Sequence, residues 1–164
     1  MNTKSKMVYA LYPNANGFGF VYMESALKLL DYGVVRISPI SNRKVLGKIK
    51  QALDYFRPSV VILLDPEGKS SRTGNRVKAL IKKIVIHAVE INLPLFQYSR
   101  DQIRNVFIQF GATTKYDISQ VLLREFTELE TKSPKKRKLW TSEDRNMAIF
   151  DTLSLALTWF YLND

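Results

Sequence analysis

Unbroken apolar runs and short alternating segments mark the strands of this chain. Val60–Leu64 is a run of aliphatic residues that follows Pro58 and ends at Asp65. Because no polar residue interrupts it, this run predicts a strand buried on both faces, as in the centre of a parallel sheet. The Asn and Gly residues of 13–17 favour a hairpin turn. The predicted strands cover about residues 7–12, 17–23, 33–38, 60–65 and 93–98.

Apolar residues three or four positions apart predict helices over about residues 41–56, 73–88, 99–110, 113–126 and 141–161. The candidate N-caps are Ser41, Thr73 or Asn75, Ser99, Thr113 or Thr114, and Thr141 or Ser142. Glu143 and Asp144 would then lie in the first turn of the last helix, where the helix dipole favours acids. Hairpin-joined strands followed by strand–helix–strand–helix predict a single α/β domain over 1–164. Its five-stranded mixed sheet, with three antiparallel strands and then two parallel ones, would be flanked by helices.

The charge balance favours an anionic partner. Lys and Arg number 25 against 15 Asp and Glu, which gives a formal net charge of +10. Such an excess predicts nucleic acid as the first partner and an anionic membrane surface as the second. The absence of cysteine and the single histidine argue against disulfides and a zinc site. No apolar run has the length of a membrane span, and the first residues lack a signal's apolar core, so we expect a cytoplasmic protein without a membrane partner.

The cations gather in two segments. One follows the central strand, at the edge where open α/β sheets bind ligands, and the other is 129–140, predicted to be a basic flexible loop. Gly68-Lys69-Ser70 resembles the end of an ATP-binding loop, but Leu63 stands where that motif needs glycine, so ATP binding is rejected. Solvated surface charge is the alternative to phosphate binding for these cations. The predicted nucleic-acid contacts are Lys69, Arg72, Arg76, Lys115, Lys135, Lys136, Arg137 and Lys138.

Two carboxylates stand where an acid needs an explanation. Asp65 ends the central strand, where it either forms a turn with Pro66 or binds a ligand. Asp151 lies in 147–157, a segment that is apolar almost all round and is therefore predicted to be buried. Because an unpaired buried charge is costly, Asp151 should either pair with a Lys or Arg or share a metal ion with Asp65.

The order of elements resembles that of the RuvC-type Holliday junction resolvases. The segment 93–98 followed by 99–103, and the closing 150–158, carry this resemblance. It implies an RNase H-like fold and a homodimer that binds branched DNA. It also implies carboxylates that bind two Mg²⁺ or Mn²⁺ ions for phosphodiester hydrolysis.

This sequence departs from the family's pattern of acids. Tyr12 stands where the first acid belongs, and Leu64 where the second belongs, with Asp65 one residue later. Of the two acids expected in the last helix, Asp151 fits the second, but Ala148 occupies the first. A protonated phenol is a poor ligand for Mg²⁺.

Two hypotheses about function follow. In the first, the protein is a RuvC-like DNA-binding protein with Mg²⁺- or Mn²⁺-dependent endonuclease activity on branched DNA. Asp65 and Asp151 would then hold metal, Glu143 or Asp144 would assist, and all four acids are candidate catalytic residues. In the second, it is a catalytically inactive RNase H-like derivative that binds DNA or RNA or acts as a scaffold, with no cofactor.

Overall fold

A mixed sheet forms the centre of the molecule. The computed structural model describes residues 6–68 and 71–163; Lys69, one of the predicted nucleic-acid contacts, lies outside the described residues. The strands are β1 (Val8–Asn14), β2 (Gly17–Ser25), β3 (Lys28–Arg36), β4 (Val60–Leu64) and β5 (Leu95–Tyr98). In the sheet they follow the order β3-β2-β1-β4-β5; β2 is antiparallel to β1 and β3, and β4 is parallel to β1 and β5. The predicted fold class is confirmed.

Five helices flank this sheet within the described residues. They are α1 (Asn42–Phe56), α2 (Asn75–Glu90), α3 (Arg100–Phe107), α4 (Lys115–Glu125) and α5 (Met147–Leu162). A 3₁₀ turn follows α3 at Ile108–Phe110 and another follows α4 at Thr127–Lys132. None of these helices has the length and apolar character needed to cross a membrane.

The central strand and the last helix form the middle of the core. All residues of β4 are buried, as its aliphatic sequence predicts. α5 packs across β1 and β2 and also contacts α3 and α4. Because it is covered on several sides, its buried residues run around the whole helix, which explains its apolar sequence.

Gly19 of β2 allows α5 to approach the sheet closely. A Cβ at this position would come within 2.5 Å of the Ala148 carbonyl oxygen. Phe20, the next residue, points to the opposite face. There its ring packs against Tyr9 and Phe56 of α1, with centroids 5.8 and 6.0 Å away. α5 and α1 therefore cover opposite faces of the sheet, and Phe20 packs against the core on the α1 side.

Local hydrogen bonds decide which helix starts are predictable. Ser41, Ser99 and Thr114 cap α1, α3 and α4 as predicted, and each hydroxyl accepts a first-turn N–H. The prediction for α2 is wrong: its N-cap is Gly74, which makes no side-chain capping bond, and not either of its predicted neighbours. β3 also starts earlier than predicted, because its pairing with β2 extends to Lys28.

The last helix starts later than the predicted Thr141 or Ser142. One carboxylate oxygen of Asp144 accepts the N–H of Lys135 at 3.0 Å, and the other accepts the N–H two residues further on at 2.8 Å. These bonds hold the chain in a turn ahead of α5. Glu143 and Asp144 therefore precede the helix and do not lie in its first turn.

Candidate functional site

Side chains from separate elements meet where the parallel strands end. Tyr12 lies near the end of β1, Arg100 begins α3 directly after β5, Lys115 begins α4, and Asp151 lies on α5. Glu143 approaches from the segment before α5. We call these residues the ion-pair cluster. They meet because the carboxyl ends of parallel strands share one edge of the sheet.

Asp151 is the buried centre of the ion-pair cluster, with 5% of its surface exposed. Its Oδ2 accepts a hydrogen bond from Lys115 Nζ at 3.1 Å, and its Oδ1 lies 3.8 Å from the Arg100 guanidinium. The Lys115 ammonium is also 3.5 Å from Glu143. The sequence leaves two alternatives for Asp151, and the structure contains the ion pair. Lys115 and Arg100 supply the counter-charge that a buried carboxylate requires.

Burial and charge set the protonation states of Lys115 and Tyr12. Burial alone would lower the pKa of the Lys115 ammonium, but the attraction of Asp151, helped by Glu143, outweighs burial and raises this pKa. Burial, and then the negative charge of Asp151, raise the pKa of Tyr12 to about 12. Near neutral pH the lysine is therefore charged and the phenol is neutral. The Lys115 ammonium also lies 5.8 Å from the centroid of the Tyr12 ring.

The other predicted acids are held in turns. The carboxylate of Asp65 accepts the N–H of Glu67 at 3.0 Å, which is the turn-forming arrangement. Within the described residues, no hydrogen bond or ion pair joins Asp65 to Asp151. Asp144 uses both carboxylate oxygens on backbone N–H groups. The structure therefore brings Asp151 and Glu143 together through Lys115, and it leaves Asp65 and Asp144 in separate turns.

The ion-pair cluster lacks the donors of a Mg²⁺ site. Mg²⁺ takes carboxylate oxygens and water in an octahedral arrangement. Tyr12 offers a protonated phenol, and Ala148, which lines the same cavity, has no ligand atom in its side chain. In the segments that the structure describes, no group of three or more His, Cys, Asp or Glu side chains could hold a metal ion. Because Lys115 already neutralises Asp151, the residues present do not fit a two-metal centre.

Tyr12 and Lys115 line two neighbouring cavities. The first has a volume of about 480 Å³. We call it the basic cavity because its charged lining consists of Arg72, Arg76, Arg100, Arg104 and Lys115. The second, of about 610 Å³, contains acids and cations together: Arg36, Lys115, Glu143, Asp144, Arg145 and Asp151. Of the described residues that line the basic cavity, none is acidic.

The predicted nucleic-acid contacts surround this edge of the sheet. Arg72, Arg76 and Lys115 line the basic cavity. Lys135, Lys136, Arg137 and Lys138 are all exposed and lie in the segment before α5. That segment continues into residues 142–145, which line the cavity with mixed charges. The exposed cations and the ion-pair cluster therefore belong to one continuous surface.

Comparison with known proteins reveals the fold. Neither a protein-family model nor a curated protein matches the chain. Thermus thermophilus RuvC, however, matches its structure with a TM-score of 0.67 over 96% of this chain and 95% of that one, at 20% sequence identity. This chain has the RuvC fold.

Two further solved structures agree with this assignment. T. thermophilus RuvC in complex with a Holliday junction substrate gives a TM-score of 0.66 at 21% identity, over 96% of this chain and 95% of that one. The yeast mitochondrial Holliday junction resolvase Ydc2 gives 0.60 at 9% identity, over 95% of this chain and 79% of that one. The resemblance seen in the sequence is confirmed at the level of the fold.

The sequence patterns missed two arginines of the basic cavity. Arg100 and Arg104 line the basic cavity from α3, yet neither was among the predicted contacts. One signal was present: Arg100 follows the N-cap Ser99, which itself follows β5. A residue that begins a helix directly after a parallel strand lies at the ligand-binding edge of the sheet.

Proposed function

We propose that this protein is a RuvC-like nucleic-acid-binding protein that recognises branched DNA. The observation that carries the proposal is the match to RuvC bound to a Holliday junction, which extends over 96% of this chain. The ion-pair cluster and the basic cavity lie at the end of the sheet where α/β folds bind their ligands. A formal net charge of +10 suits a polyanionic partner.

The segment 135–138 supports this proposal independently of the fold. Its four side chains are cationic and exposed, and phosphate contacts of this kind position a protein on DNA. Lys138 lies over the ring of Trp140 at 5.8 Å, and Trp140 is 81% exposed. An exposed aromatic ring beside cations is suited to stack on a base that a branch point leaves unpaired.

The similarity to resolvases favours strand cleavage as the associated activity, but the described side chains do not supply the donors of a two-metal centre. The proposal rests on recognition of the branch, with the cations as phosphate contacts. The predicted homodimer and the predicted role of Asp65 as a metal ligand stay predictions.

One experiment tests recognition and cleavage together. A labelled four-way junction, a flap and a linear duplex of matched sequence are titrated with the protein at several salt concentrations. Each is then incubated with Mg²⁺ or Mn²⁺, using wild type and Asp151→Asn. We expect tighter binding to the branched substrates and a steep loss of affinity with salt. Equal affinity for branched and linear DNA would refute the proposal, whereas cleavage lost in Asp151→Asn would make the protein an endonuclease.

A further inference from the structure

The basic cavity is built to hold an anion. Five cations contribute to its lining, no acidic side chain among the described residues does, and its volume of about 480 Å³ lies in the usual range of ligand pockets. Surface cations normally spread apart to lower their mutual repulsion. Arg100 and Lys115 converge on Asp151, but Arg72 and Arg76 form no ion pair within the described residues, so their positive charge is available to a bound anion.

Two of these cations are fixed before any ligand arrives. The Arg76 guanidinium donates to Asn42 Oδ1 at 2.7 Å and to the carbonyl oxygen of Asn14 at 2.9 Å, so it is held between α1 and β1. Lys115 is held by its 3.1 Å bond to Asp151. Positions fixed in this way need little ordering on binding, which favours affinity.

Arg100 has an unused donor. Its NH1 nitrogen is buried and has no hydrogen-bond partner within the described residues, and the nearest carboxylate oxygen, on Asp151, is 3.8 Å away. That distance allows charge attraction but not a hydrogen bond. The buried NH1 nitrogen therefore relies on the attraction of Asp151. Because the Arg100 side chain also lines the basic cavity, its positive charge adds to the attraction for an anion there.

The start of α2 adds N–H groups to the same cavity. Gly74, the N-cap of this 16-residue helix, lines the cavity and has no side chain to accept the first-turn N–H groups. The N-terminus of a helix attracts anions through these groups and through its dipole. Together with the Arg72 and Arg100 side chains that line the cavity, it offers planar guanidinium groups and backbone donors, a combination suited to the oxygens of a phosphoryl group.

We propose that the basic cavity binds a phosphate of the nucleic acid without a metal ion. The phosphoryl group would contact Arg72, Arg100 and Lys115 and the N-terminus of α2. This proposal deepens the proposed function, on which it rests for the source of the phosphate: a phosphodiester of branched DNA. The protein's own cations take the place of the divalent ions that the fold implies, and a divalent cation would be repelled from this cavity.

The first test titrates inorganic phosphate into the full-length protein by calorimetry, in buffer with EDTA. Wild type, Arg72→Gln and Arg100→Gln are compared with Lys50→Gln, which removes one exposed cation from α1, away from the cavity. Each cavity variant should weaken phosphate binding about tenfold, as expected for the loss of one charge-assisted hydrogen bond. Arg100→Lys keeps the charge but loses the planar guanidinium, so its affinity for phosphate should lie between those of wild type and Arg100→Gln. Thermal unfolding checks that each variant is folded, and Arg72 is exposed, so its replacement leaves the core intact.

The second test measures junction binding by the same variants across a range of salt. Arg72→Gln should lower the slope of log affinity against log salt by about one, equally in EDTA and in Mg²⁺. Lys50→Gln should leave the slope as in wild type. Phosphate binding that requires Mg²⁺, or cavity variants that bind phosphate and junction as wild type does, would overturn the inference while leaving the proposed function standing. If wild type binds phosphate but no junction, the proposed function is wrong, whereas phosphate binding by the basic cavity is still supported.

Short single strands with and without a 5′-phosphate separate two sources of the ligand. Equal affinity for both, together with junction binding that depends on Arg72 and Arg100, supports a backbone phosphodiester. Affinity that requires the terminal phosphate, with junction binding unaffected by the variants, would contradict the phosphodiester and assign the cavity to strand ends.

Discussion

The ion pair between Lys115 and Asp151 should stabilise the fold measurably, and Lys115→Met, Asp151→Asn and the double variant isolate it. At 3.1 Å, with an effective dielectric constant of about 20, the attraction is about 5 kcal/mol before desolvation is subtracted. The Lys115 side chain is 35% exposed, so solvent screens part of this attraction, and Asp151 retains Arg100 at 3.8 Å. We therefore expect a coupling energy of about 1–3 kcal/mol.

The single variants should differ in a definite order. Lys115→Met leaves a buried carboxylate with only the more distant Arg100, at a cost of about 2–3 kcal/mol. Asp151→Asn should cost less, because Lys115 can turn towards Glu143, which is 3.5 Å away. The double variant removes both charges and should be more stable than the sum of the single losses predicts.

Urea unfolding followed by circular dichroism at pH 7 measures the free energy of unfolding of all four proteins. Lys50 and Asp54, both exposed and four residues apart on α1, provide the matched control cycle, for which we expect a coupling below about 0.5 kcal/mol. If the losses at Lys115 and Asp151 add within about 0.5 kcal/mol, the argument that burial makes this pair strong is refuted.

Two further predictions concern stability. Tyr12→Phe should reduce the loss of stability at alkaline pH. The pKa of Tyr12 is about 12 in the folded protein and 10.0 in the unfolded chain, so the unfolded chain releases the phenol proton more readily as the pH rises. At pH 11 this difference lowers the free energy of unfolding of wild type by about 1.4 kcal/mol. Urea midpoints at pH 8 and 11 measure it, and parallel losses in both proteins would contradict the assignment. Gly19→Ala should destabilise the fold by about 2 kcal/mol or more, because the new Cβ would lie 2.5 Å from the Ala148 carbonyl oxygen and Thr152 Oγ1. Gly47→Ala on α1 is the control: its new Cβ would meet open space, and it should stabilise the fold by about 0.5–1 kcal/mol. If Gly19→Ala leaves the stability unchanged, α5 can move away from the sheet and the prediction is wrong.

The elements that the sequence predicted best are those whose causes are local. β4 follows from an aliphatic run that suits burial on both faces, and Ser99 and Thr114 cap helices through bonds to residues three positions away. The start of α5 was missed because Asp144 bonds the backbone of Lys135, nine residues earlier, and so forms a turn that no local pattern shows. Sequence periodicity cannot predict a hydrogen bond that depends on the path of a loop.

In the candidate site, too, the features with local causes were predictable from the sequence and the others were not. Burial of Asp151 in an apolar helix predicted that it needs a partner, because that argument requires only the sequence around it. The partners themselves, Lys115 and Arg100, lie 36 and 51 positions away and meet Asp151 only because α3 and α4 begin at one edge of the sheet. Only the path of the folded chain could identify them.

The ion-pair cluster and the basic cavity have one cause. The resemblance implies acids at the positions of Tyr12 and Ala148, but neither residue carries a negative charge. Asp151 is therefore the buried acid of this cluster, and a single ammonium can balance its charge. The Lys115 ammonium lies against that carboxylate, yet it also lines the basic cavity. Among the described residues, no acid lines the basic cavity beside this cluster, so its cations attract an anion. Tyr12 lines both cavities, so the same neutral phenol that is a poor metal ligand also adds no negative charge beside the proposed phosphate.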